Sequence, residues 1–145
     1  MSNSRIVSVE RVIHAPASKI FDIIANPYRH HEIDGSGTVV QPKAGTPERL
    51  FLGATFAMDM KMKASYLTNN HVVEFEENHV IAWHHIAKFV WRYQLDEVAD
   101  GTLVRESFDY RKPWGLLIAP LGWPAKNKVS MEQTLSRLAA VVETA

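Results

Sequence analysis

The stretch FVWRYQLDEVADGTLVRESFDY, residues 89–110, decides the fold. Two runs rich in aromatic and β-branched residues flank Asp100-Gly101, the dipeptide that most strongly signals a tight hairpin. A two-residue turn there pairs Ala99 with Thr102. The same register sets Leu95 opposite Glu106, Tyr93 opposite Phe108 and Trp91 opposite Tyr110. Side chains alternate along a strand, so these six share one face, and Arg92, Gln94, Asp96, Arg105, Ser107 and Asp109 occupy the other. The first face is expected to be covered, and it carries one acid, Glu106.

Moving upstream, three further strand-like runs precede the hairpin: Ala54–Met62, Ala64–Phe75 and Val80–Ala87. No helical stretch separates any of the five, which predicts an antiparallel meander. Phe56, Met58, Met60 and Met62 alternate with Asp59, Lys61 and Lys63 and are expected to face inward, with Val73 and Phe75. The Val80–Ala87 run has two registers. One turns in Ile81, Trp83 and His85, the other Ala82 and His84. The first is preferred because it keeps a tryptophan out of water.

Further upstream, Arg5–Ile13 has strand alternation. Ala15-Pro16 opens a helix carrying Ile20, Phe21, Ile23 and Ile24, and Asn26-Pro27 closes it. A short second helix spans Tyr28–Ile33, Asp34–Gly37 is a turn, Thr38–Gln41 a short strand and Pro42–Pro47 a loop. Downstream, Lys112–Gly122 is irregular or weakly helical. From Pro124 to about Glu143 a last helix places Met131, Leu135, Leu138 and Val142 on one stripe. The expected class is α+β: a curved antiparallel sheet of about seven strands wrapped around a long C-terminal helix, with two short helices after strand 1. Residues 1–145 are expected to form one domain.

Composition narrows the function. The chain has 145 residues, with 16 Lys and Arg against 16 Asp and Glu. Neither half is polarised enough for a nucleic-acid footprint. With no cysteine there is no disulfide framework, cysteine nucleophile or Cys-based zinc site. The polar opening MSNSRIVSVE lacks an apolar signal core, and no stretch is long enough to span a bilayer, so a cytoplasmic protein is expected. Seven histidines show no metal-ligand spacing. His84-His85 point to opposite faces of a strand, and His30-His31 read as surface or capping residues. No P-loop, G-x-G-x-x-G or G-x-S-x-G occurs, and Gly35-Ser36-Gly37 reads as a turn, so no metal or cofactor is expected. Lys61, Lys63, Arg92 and Arg105 read as a solvated outer face. Glu106 is the exception. Among aromatics its pKa should rise, and an inward His85 could partner it; Tyr66, Tyr93 and Tyr110 could add hydroxyl donors.

Four segments carry a resemblance: VERVIHAPASKIFDIIANP near the start, RHHEIDGSGTV at Arg29–Val39, the meander VVEFEENHVIAWHH with WRYQLDEVADGTLVRESFDY, and the C-terminal helix. Together they resemble the polyketide cyclase/START-like (SRPBCC) superfamily over nearly the whole chain. The resemblance implies the helix-grip fold and a cavity between sheet and long helix for a lipid, sterol or polyketide-like molecule. By position, the lining would include Phe56, Met58, Met60, Phe75, Trp83, Trp91, Tyr93, Glu106, Phe108, Tyr110, Met131 and Leu135. A carrier of a small, largely apolar molecule is the expected function. The alternative is a cyclase/dehydratase with Glu106 and His85 as acid and base. A third reading makes Trp114, Leu117, Ile118 and Trp123 a partner patch or a cavity lid. A monomer or weak homodimer is expected.

Overall fold

A computed structural model of the chain describes residues 6–61, 65–85, 89–111 and 123–143. The elements run β1 (Ile6–Ile13), α1 (Ala17–Ile24), a 3-10 turn (Pro27–Arg29), α2 (His30–Ile33), β2 (Val39–Pro42), β3 (Thr55–Lys61), β4 (Ser65–Glu76), β5 (Val80–His84), β6 (Val90–Val98), β7 (Gly101–Asp109) and α3 (Trp123–Glu143). The seven strands form one sheet in the order β1-β7-β6-β5-β4-β3-β2, antiparallel throughout. β2 to β7 is thus a meander, and β1 closes against its last strand. α1 and α2 carry the chain from one edge of the sheet to the other.

The helices cover the inner face with apolar stripes. α1 buries Ile20, Phe21, Ile23 and Ile24. Asn26 then ends the helix and caps the next turn, its Oδ1 accepting from the Tyr28 amide at 3.0 Å. α3 buries Met131, Leu135, Leu138 and Val142 and packs on β1, β7, α1 and α2. The loop after α2 approaches α3 so closely that a Cβ on Gly35 would stand 2.1 Å from the Ser130 carbonyl oxygen. The Gly35 amide donates to Thr134 Oγ1 at 2.9 Å.

Three details correct the sequence expectations. First, the hairpin register is displaced by two residues. Val98 pairs with Gly101, Leu95 with Val104, Tyr93 with Glu106 and Trp91 with Phe108. The turn residues are Ala99-Asp100, and Gly101 is the first strand residue, where a Cβ would lie 2.2 Å from the Ile13 carbonyl oxygen. The glycine serves both the close approach of β1 and the backbone leaving the turn, where its φ is 150°. Because the displacement is even, every side chain keeps its expected face.

Second, Val73 points outward and is 41% exposed, whereas Val72 is buried. A bulge between Val72 and Glu74 adds one residue to β4, so Val72 and Phe75 both face the core. Third, β5 ends at His84, and His85 lies beyond the strand. Ile81 and Trp83 are the inward residues of β5, as preferred. Met62, Lys63 and the segment holding Trp114, Leu117 and Ile118 lie outside the described residues, as do the side chains of Tyr66 and Trp123.

Candidate functional site

Two cross-strand rows build the inner face. One runs Phe75, Ile81, Tyr93, Glu106, Val9, and the next runs Val72, Trp83, Trp91, Phe108, Val7. Glu106 therefore stands in an apolar row with a tyrosine as its neighbour, and it is 3% exposed. The Tyr93 hydroxyl hydrogen-bonds its carboxyl, while Oε1 has no hydrogen-bond partner. Burial dominates its electrostatics. It pushes the carboxyl up to about 8, against the hydrogen bond from Tyr93 and helped by the negative charge of Asp34. At neutral pH Glu106 is thus a neutral acid holding an O–H donor. Burial and the Glu106 charge likewise push the Tyr93 hydroxyl well up.

Aromatic rings wall this carboxyl. Trp83 stacks on His30 with centroids 5.5 Å apart and lies 5.8 Å from Tyr93. Phe56 meets both His30 and Trp83 edge-on. Trp91 packs 4.5 Å from Phe108, which stacks on Tyr110 at 5.5 Å.

His30 and Asp34 were not singled out by the sequence reading. Burial lowers the His30 pKa. Its Nε2 sits 2.7 Å from the Ile24 carbonyl oxygen, which can only accept. Nε2 therefore carries the proton, and Nδ1 keeps a lone pair. The signal was present in the spacing, since His30 stands three residues before buried Ile33 on the same face of α2. Asp34 accepts from the Ser36 and Thr38 amides and the Val39 amide, each at 3.0 Å, which fixes the entry to β2 beside the interior acid.

The residues expected to line the interior are brought together. Phe56, Met58, Tyr93, Phe108, Tyr110, Met131 and Leu135 are buried in one core, and Met60, Phe75, Trp83 and Trp91 pack against it while keeping some exposure. His85 is not among them. It lines an open cleft of about 630 Å³ with His84, His71 and Lys43. From Glu106 it is two strands across and past the end of β5, outside the row that runs Ile81, Tyr93, Glu106. The expected acid–base pairing of Glu106 with His85 is therefore corrected: the early end of β5 leaves the histidine at the sheet's margin. Among the described residues, no group of His, Asp or Glu has the geometry to hold a metal ion. No helix among them is long and apolar enough to cross a membrane.

Comparison with known proteins gives the chain relatives. The profile of a family described as polyketide cyclase / dehydrase and lipid transport matches residues 4–143. An uncharacterized protein of Mycobacterium tuberculosis is 31% identical over 133 residues, which cover 87% of this chain but 59% of that relative. The chain thus spans less than two thirds of that curated relative's length. The AHSA1-like protein of Aeromonas hydrophila has a similar solved structure, with TM-score 0.73 at 16% identity over 96% of this chain and 92% of that one. DynU16, from the dynemicin biosynthetic locus, reaches TM-score 0.67 at 17% identity over 98% of this chain and 48% of its own. At these identities the two structures establish the helix-grip fold.

Proposed function

The chain belongs to the polyketide cyclase / dehydrase and lipid transport family, which supports a ligand-binding or cyclase-type role, and from that premise we propose that it binds a small, largely apolar molecule between the inner face of the sheet and α3. The observation that carries this reading is Glu106, a buried neutral acid whose Oε1 lacks a partner in an otherwise apolar row. A buried polar atom left unpaired costs about 1–3 kcal/mol, and a ligand oxygen accepting from it would remove that cost. Trp83, Trp91 and Met60 face inward yet keep some exposure, which supports access to this space. Burial of about 300 Å² of ligand surface would contribute roughly 7 kcal/mol before association costs. Native mass spectrometry of protein purified from its own host is expected to reveal a co-purified small molecule, and the stripped protein to take up an apolar fluorescent probe saturably. Neither adduct nor uptake would remove the reading.

A second reading, a cyclase/dehydratase, is favoured by one observation: neutral His30 shares the aromatic cluster with the neutral acid Glu106. Glu106 would give a proton and His30 Nδ1 receive one, with Tyr93 holding the carboxyl. Glu106→Gln would then keep ligand binding and lose turnover of a poly-β-ketone by 100-fold or more, on the order expected for a lost general acid. Unchanged turnover would exclude it. Residues 1–145 are read as one ligand-binding domain in a monomer or weak homodimer, for which a single cooperative unfolding transition is expected.

A further inference from the structure

The opposite face of β3, β4 and β5 carries a feature that the interior reading does not use. Thr55, His71 and His84 point outward here, away from the buried Phe56 and Val72 and from Trp83, which packs against the core. The chain after β2 folds over their margin. The Lys43 amide donates to the Ala57 carbonyl oxygen at 2.8 Å, and the Thr46 amide donates back to the Lys43 carbonyl oxygen at 3.1 Å. The result is the cleft of about 630 Å³ that also receives His85.

Its charge is one-sided. Among the described residues, the ionisable side chains lining it are Lys43, His71, His84 and His85, with no acid. His71 and His84 are directly opposed across β4 and β5, and their rings stack at 5.5 Å with 23° between planes. His84 Nδ1 is buried without a hydrogen-bond partner. His85 loses basicity through burial and through the neighbouring charge of His84. The acids nearest on the same face are engaged or set back. Glu74 pairs with Arg92 at 2.9 Å, and Asp109 pairs with Arg111 at 2.6 Å. Asp59 lies two positions beyond Ala57 on β3 and does not line the cleft.

We propose that this cleft is a second binding site, for a small oxyanion, a phosphate or carboxylate group, held between Lys43 and the stacked His71–His84 pair. An anion in the cleft would meet the Lys43 ammonium and accept from the His84 ring nitrogen that has no partner. The site lies across the sheet from Glu106 and does not depend on occupancy of the interior.

The test follows the histidine ring resonances of the full chain by NMR. Inorganic phosphate is added in one arm and acetate in the other, at constant ionic strength. A saturable shift of His71 and His84 is expected, and the tighter arm identifies the anion. Lys43→Gln, at an exposed position, should weaken binding about tenfold with an unchanged melting temperature. His84→Gln should do the same. Uptake of an apolar probe by the interior should be unaffected in both variants, which separates this proposal from the function proposed above. No saturable shift up to on the order of 20 mM anion, or a response that merely follows ionic strength, would overturn it, as would unaltered binding in Lys43→Gln.

Discussion

Glu106 couples folding to pH in the direction opposite to a surface carboxylate. Its pKa rises from 4.5 to about 8 on folding, so between those values the folded chain holds a proton that the unfolded chain has released. Stability then falls as pH rises. The contribution is fully present below about 4.5 and is lost as pH climbs through about 8, a total on the order of 5 kcal/mol. Glu106→Gln keeps the shape and cannot ionise. Urea titrations at pH 5 and pH 8.5 should therefore show the variant close to wild type at the lower pH and more stable by several kcal/mol at the higher, of the size just given. Equal pH slopes for the two proteins would mean that the carboxyl is solvated. Glu106 itself was legible in the sequence because strand alternation alone puts it among Trp91, Tyr93 and Phe108. Its surroundings were not. His85 required β5 to run one residue further than it does, and His30 passed for a surface or capping residue because a two-histidine run on a single turn of helix carries little periodicity.

At the level of elements, the hairpin separates what turn chemistry can settle from what it cannot. Asp100-Gly101 marks a reversal correctly, but a glycine beside a turn has two uses, a positive φ and a close approach, and here both hold. The backbone of β1 comes to Gly101 so closely that no side chain fits. That constraint comes from a strand about ninety residues away and leaves no local trace in the sequence. Gly101→Ala should cost about 3 kcal/mol, because its methyl group would meet a backbone oxygen that is itself held in the sheet. Chemical denaturation measures this directly, and a loss below about 0.5 kcal/mol would show that β1 can move away. The bulge in β4 was hidden for a related reason: Val72 and Val73 are both β-branched, and only pairing with β5 decides which one turns inward.

For the whole molecule, the order of elements was legible because the longer strands and helices each show their own period, with Pro, Gly and Asn at many of their ends. The assembly of a shared interior was legible in outline, since parity survives an even displacement of register. Occupancy of that interior is a property of the assembled chain. A ligand that binds only the folded form at a hundred times its Kd should add about 2.7 kcal/mol to stability, read as a rise in melting temperature. In Glu106→Leu, which removes the donor, the rise should shrink for ligands bearing a carbonyl oxygen and persist for plain hydrocarbons. Identical shifts for both kinds would mean that the carboxyl does not touch them.

The partnership of the first strand with the last has a kinetic consequence. Ile6 pairs with Asp109, so a growing polypeptide carries an unmatched edge until most of its length has left the ribosome. Contacts between such distant positions slow a search that local helices complete quickly. Refolding from urea should accordingly occupy milliseconds to seconds, and a Trp91 signal should recover together with the docking of β1, not ahead of it.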